Sequence, residues 1–322
     1  MQPPESESEY EDPLERRQRD AQAQEARAQK AKRIRVGILL LILLGAGLAY
    51  LRIWLLENWT PDWDESQLVS VQILVPPNLD SDEQELLDEL EAFTLASEGV
   101  ASFTALDDWF LAEQQRYGVD RGGVSPVVLS VAAARPMESD PIAPPLGDEP
   151  FLERYQKTNE FLDFYAKHRT ESPATNTIYL IFYRRSTHPE FAKIHSVADR
   201  RSRSGFVFAS LDENGLETAV INISHELLHL FGANDKYENK SCKFPGGYAE
   251  PFRDPRHPQR FAEVMAQGIP NGPGQAETEV SSFGETRIGV QTATEIGWID
   301  DAQRVRYYGG DLSAGPTLDE EE

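Results

Sequence analysis

The chain has 322 residues, 40% hydrophobic and 26% charged, enough for a substantial core in one large or two modest domains. Its formal net charge of -23 leaves no spare basic surface to neutralise phosphates and argues against a nucleic-acid partner. Cys242 is the single cysteine, which excludes an internal disulfide framework, a cysteine-rich zinc cluster and an iron–sulfur centre, so any metal must be held by histidines and carboxylates.

Residues 1–35 are polar: an acidic, Pro-bearing opening reads as disordered, and the Ala/Gln/Arg-rich stretch behind it suits a solvated helix. An uncharged apolar run follows from Val36 to Leu51. As a helix it spans only about 24 Å, short of a hydrocarbon core of roughly 30 Å. Extension through Ile53–Leu56, with Arg52 snorkelling and Trp54 and Trp59 at the far interface, completes a crossing over residues 36–56. Eight basic residues (Arg16, Arg17, Arg19, Arg27, Lys30, Lys32, Arg33, Arg35) precede the run and only Arg52 lies close behind it. The positive-inside rule therefore predicts a single-pass protein of the cytoplasmic (inner) membrane, N-terminus in the cytoplasm and the rest periplasmic or otherwise extracytoplasmic. The small-residue stretch Gly47-Leu48-Ala49 admits a cleavable signal peptide, but the charged leader is long for one, which favours an uncleaved anchor.

Beyond the anchor, residues 66–310 read as one α+β domain, with an acidic tail over 311–322. Strands are expected at 68–75, 124–134, 176–185 and 205–212, and helices at 81–97 behind a Ser or Asp cap, 104–118 closed by Gly118, and 151–168. The five prolines of 135–150 mark a loop, either a divide between two domains or a connection between strands of one sheet. The stretch GFVFASLD (205–212) suits an edge strand on which an extended substrate could pair.

The most informative stretch is SHELLHLFGANDKY, residues 224–237, within a motif core of 214–300. Asn214 and Glu217 have capping-box spacing, and Ala219, Ile223, Leu227 and Leu230 form a core-facing helical stripe. His225 and His229, four apart, project from one face as two nitrogen ligands suited to Zn2+, and Glu226 beside them is placed to act as general base. Gly232 can take positive φ, end the helix and turn the chain back so that Asp235 becomes a third ligand. His257 and Glu263 are alternative third ligands, whereas His168, His188 and His195 read as surface or satisfied histidines and Cys242 as structural or incidental.

HELLHLFGAND resembles the extended zinc motif of the metzincin metallopeptidases, HExxHxxGxxH/D, in its Asp variant. That resemblance implies a zincin-like fold: a twisted mixed sheet, the active-site helix and an irregular C-terminal subdomain with one late helix, here expected at 290–298. It also implies a Met-turn, for which Met265, thirty residues past Asp235, is the candidate. Some members place an oxyanion-supporting tyrosine two residues after that methionine; Gln267 stands there, leaving Tyr237 and Tyr248 as candidates. The run DKY…GYAEP…PQRFAE is also similar to bacterial proteins classed as metallopeptidases. The implied function is a membrane-anchored zinc endopeptidase acting on a protein or peptide substrate. The alternatives are an anchored binding or scaffold domain with a structural zinc site, and hydrolysis of a non-peptide bond on the same metal.

Overall fold

The computed structural model describes residues 13–57, 59–86, 88, 103–119, 122–145, 149–212, 215–238, 241–266, 268–280 and 282–307. The chain divides into two units, Met1–Leu56 and Glu57–Glu322. Helix α1 (Pro13–Glu57) accounts for the described part of the first. Its stretch Lys32–Leu56, 25 residues long, is apolar enough to cross a membrane or serve as a signal sequence, and none of its residues is buried. The expectations for the acidic opening, the cap at Asn214, Gln267 and the acidic tail fall outside the described residues.

The second unit is built on a mixed five-stranded sheet of order β2-β1-β3-β5-β4. Strands β1 (Gln67–Val75), β2 (Val127–Pro136), β3 (Asn176–Tyr183) and β5 (Ser204–Ser210) run parallel, and the short β4 (Val197–Asp199) pairs antiparallel with β5. Parallel strands covered on both faces need near-continuous apolar sequence, and β3, Asn-Thr-Ile-Tyr-Leu-Ile-Phe-Tyr, is buried at every position. The strands flanking the Pro-rich loop pair with the same strand, β1, so that loop joins parts of one sheet.

Alternation along the strands splits the core into two layers. Val69, Val71, Ile73, Ile178, Leu180, Phe182 and Val207 face α2 (Phe103–Arg116) and α4 (Gly215–Phe231). Leu74, Tyr179, Ile181, Phe206 and Phe208 face α3 (Phe151–Ala166) through Phe161 and Tyr165. The segment before α2 is helical at 81–86, where Asp80 Oδ1 accepts the Asp82 and Glu83 N–H groups and Glu83 returns a bond to the Asp80 N–H. The remainder of the helix expected to reach residue 97 lies largely outside the described residues.

One expectation is corrected. The GFVFASLD strand is β5, which lies between β3 and β4 and is not an edge. The outer strand on that side is β4, only three residues long and too short to show as a hydrophobic period. After α4 the chain is mostly irregular, with two small ladders, β6–β7 (Tyr237–Glu238, Ser241–Cys242) and β8–β9 (Ala262–Glu263, Thr286–Arg287). The late helix is α5 (Val290–Glu295), followed by α6 (Asp301–Tyr307).

Candidate metal centre

Helix α4 lies close against the sheet because β5 carries Gly205. A Cβ there would sit 2.5 Å from Ile178 Cδ1 and 3.3 Å from Glu226 Cβ. The stripe expected from the spacing, Ala219, Ile223, Leu227 and Leu230, is buried, and together with Val220 and Leu228 it fills the space under the strands. Core packing thus sets the rotation of α4. His225 and His229 are left half-buried on one flank, their rings 4.7 Å apart and nearly perpendicular.

The helix stops at Gly232, whose φ of +119° is open to glycine and strained for other residues. The Ala233 N–H reaches back to Leu228 O at 2.9 Å and the Gly232 N–H to His229 O at 3.1 Å, the two bonds of a Schellman cap. Reversed in this way, the chain brings Asp235 Oδ1 to 3.3 Å from His225 Nε2 and 3.2 Å from His229 Nε2. Ligand atoms of the three residues all lie within 4.8 Å of one another.

Each imidazole is oriented through its other nitrogen: His225 Nδ1 bonds Val264 O at 2.9 Å, and His229 Nδ1 bonds Ala233 O at 3.0 Å. With Nδ1–H donating to a carbonyl, Nε2 of a neutral ring presents a lone pair. Two lone pairs and a carboxylate oxygen converging so closely repel one another unless a cation lies among them, either protons on the rings or a metal ion. Burial pushes the Asp235 carboxyl up, but hydrogen bonds from His225 and His229 and their charge outweigh it and hold the group well below the usual carboxylate range. Tetrahedral coordination with bonds of about 2.0–2.2 Å places neighbouring ligand atoms roughly 3.3–3.5 Å apart. The donor types and the observed separations fit a metal of that kind.

Glu226 is 2% exposed, and its Oε2 has no hydrogen-bond partner. Burial pushes its carboxyl up to about 7, with His225 pulling it down and Asp235 pushing it further up. A buried carboxyl lacking a partner is costly to the fold and is the kind of group retained for proton transfer. Together with His225 it lines a cleft of about 420 Å³. The α4 side is completed by Thr218, Ile221 and Asn222, and other walls come from Tyr237, Val264, Glu279 and the pair His195 and Ser196 ahead of β4.

The other sequence candidates separate clearly. Tyr237 is on the cleft wall, whereas Tyr248 packs against Phe244 and His257 and is absent from that wall. Met265 is fully buried in the core shared with α4, in a turn closed by the Ala266 N–H on Glu263 O. Neither His257 nor Glu263 joins the metal-ligating cluster among the described residues. Glu263 is instead a fully buried acceptor for the Met265 N–H (2.6 Å), the Gly289 N–H (3.0 Å) and the Thr292 hydroxyl (2.7 Å). It ties the methionine turn to the start of α5. His195, read from sequence as an ordinary surface histidine, is exposed but stands on the cleft wall. The signal that would have placed it there was the unrecognised strand β4. Cys242, the single cysteine of the chain, directs its Sγ–H at Gly268 O.

In comparisons with known proteins, no family model matches the chain and no curated protein is similar to it at a significant level.

Proposed function

We propose that the chain is a membrane-anchored zinc endopeptidase of the metzincin type, with its catalytic domain outside the cytoplasmic membrane. The observation that carries this reading is the convergence of His225 Nε2, His229 Nε2 and Asp235 Oδ1 beside the buried, unpartnered carboxylate of Glu226. In this reading the three residues hold the metal. Zinc, when bound, supplies Lewis acidity toward a carbonyl oxygen and acidifies water. A purely structural site has no use for an orphaned carboxyl next to its first ligand, and that supports catalysis over scaffolding.

The chain's own residues then divide the work. The backbone carbonyls of Val264 and Ala233 keep both imidazoles aimed at one point. Glu226 takes a proton from the attacking water at its free carboxylate oxygen and delivers it to the departing amine, so the proton count closes over one turnover. The outer edge of β4 is available to pair an extended peptide along the cleft. Tyr237, on the cleft wall, is the residue of the two tyrosine candidates that retains a role toward the carbonyl oxygen. The basic residues ahead of Val36 support an N-terminus in the cytoplasm.

The test is elemental analysis of the full chain in mild detergent, purified without chelator and supplied with zinc, beside His229→Ala and Glu226→Ala. Near-stoichiometric zinc, lost in His229→Ala and retained in Glu226→Ala, is the expected result, with Glu226→Ala losing peptide cleavage by about 10²–10⁴-fold. Absence of zinc from all three proteins would sink the peptidase reading and leave an anchored binding domain.

A further inference from the structure

Asp235 is exposed on the surface, so burial does not hold it where it meets the histidines. Its two chain neighbours are tied instead. Glu295, the last residue of α5, accepts the Asn234 N–H at 2.8 Å and the Lys236 ammonium at 2.6 Å, both on Oε2, and Gln291 donates to its Oε1 at 3.1 Å. Lys236 is 3% exposed and its Nζ also reaches Asn234 O at 2.6 Å. The Lys236 backbone is bonded on both sides, its N–H to Met265 O at 2.8 Å and its O to the Lys243 N–H at 2.7 Å. The carbonyl of Glu295 also lies 3.2 Å from where a Cβ on Gly232 would be. Helix α5 therefore bonds the loop carrying Asp235 at its end and, through Thr292 and Glu263, the Met265 turn nearer its start.

We propose that Glu295, through its pair with the buried ammonium of Lys236, is a positioning residue that sets the Asp235 carboxylate against His225 and His229. The inference rests on the reading of those three residues as a metal site. A Lys–Glu pair whose ammonium is buried is a poor general device for stability, because desolvating that charge offsets much of the attraction. It is an effective device for register: the short loop from Ala233 to Lys236 has one position in which both the ammonium and the Asn234 N–H meet a single carboxylate oxygen. Loss of such an outer contact typically lowers metal affinity 10–100-fold.

The experiment measures the zinc dissociation constant of the full chain in detergent by competition with a chromophoric chelator, together with the visible absorption of the cobalt-loaded protein. The variants are Glu295→Gln, the neutral pair Lys236→Met with Glu295→Gln, Asp235→Ala, and Asp235→Ala with Glu295→Gln. The neutral pair leaves no buried unpaired charge, so it keeps the test open if Glu295→Gln alone does not fold. Expected is at least a tenfold rise in the dissociation constant for the neutral pair, with cobalt absorption moving toward that of Asp235→Ala. In the Asp235→Ala background, Glu295→Gln should weaken zinc no further. Wild-type affinity and absorption in the neutral pair would overturn the proposal, as would a loss that persists undiminished once Asp235 is gone. If the wild-type chain binds no zinc, the metal reading itself fails and carries this inference with it. Zinc binding in the wild type with unaffected variants fails the positioning role alone.

Discussion

Replacing Glu263 by glutamine isolates what its carboxylate does. The side chain is fully buried and one oxygen, Oε1, accepts both the Gly289 N–H and the Thr292 hydroxyl, while Oε2 accepts the Met265 N–H at 2.6 Å. Glutamine keeps one acceptor oxygen. If that oxygen serves Gly289 and Thr292, the new NH2 faces the Met265 N–H, donor against donor. Losing a hydrogen bond to a charged acceptor and leaving a buried N–H unmatched costs about 1.5–3 kcal/mol. Relief of the burial that pushes the Glu263 carboxyl up offsets part of this, so the net expectation is about 2 kcal/mol. Glu263→Ala strips all three donors and opens a cavity, for about 4 kcal/mol or more. Urea unfolding at pH 7 reads both values as a lowered midpoint at unchanged slope. On the proposed reading of His225 as a metal ligand, oriented by Val264 O, zinc affinity should fall alongside stability, by roughly 10-fold or more. A glutamine variant within about 0.5 kcal/mol of wild type would refute the acceptor role, since ordinary surface substitutions stay in that range.

Two further predictions concern the sheet. Gly205→Ala would normally gain stability in a strand by roughly 0.5–1 kcal/mol, yet here its Cβ meets Ile178 Cδ1 and the Cβ of Glu226. Overpacking reverses the sign to a net loss of about 1–2 kcal/mol in urea unfolding, and a stabilised variant would show that α4 does not lie against this strand as described. Burial pushes the Asp107 carboxyl up to about 7, opposed by the Leu129 N–H that it accepts and aided by Asp108. Its folded pKa lies above its unfolded one, so the folded protein holds a proton that the unfolded chain releases between about pH 4 and 7, and stability falls as pH rises through that window. Discounted for partial exposure, the contribution is about 1 kcal/mol. Asp107→Asn should therefore be stabilising relative to wild type at pH 8 and neutral at pH 4.5; an equal difference at both pH values would exclude this linkage.

What local sequence could decide about this protein is what depends on short spacings. Helical period 3.6 puts His225 and His229 on one flank and Ala219, Ile223, Leu227 and Leu230 on another, and no distant contact is needed to see it. The exit at Gly232 was equally legible, because a positive φ after a helix is a matter of backbone sterics. The apolar runs of α1 and of β3 also announce themselves, since a strand covered on both faces needs near-continuous apolar sequence and a long apolar helix stands out by composition alone.

The tertiary structure decided what depends on partners far along the chain. Glu263 and Glu295 are ordinary carboxylates in sequence, and the first becomes a buried acceptor and the second a half-buried one only when α5 folds against the loops carrying Met265 and Asp235. Sequence reading weighed Glu263 as a ligand because it counts candidate oxygens, while the fold had already used both oxygens for backbone and hydroxyl donors. The strand at the open edge of the sheet was missed for a related reason. Three residues of β4 carry too little pattern to be seen, and their strand character comes entirely from the hydrogen bonds that β5 offers them. His195 is exposed, as its reading as a surface histidine expects, but its place on the cleft wall follows from where that edge lies and from nothing in its own neighbourhood.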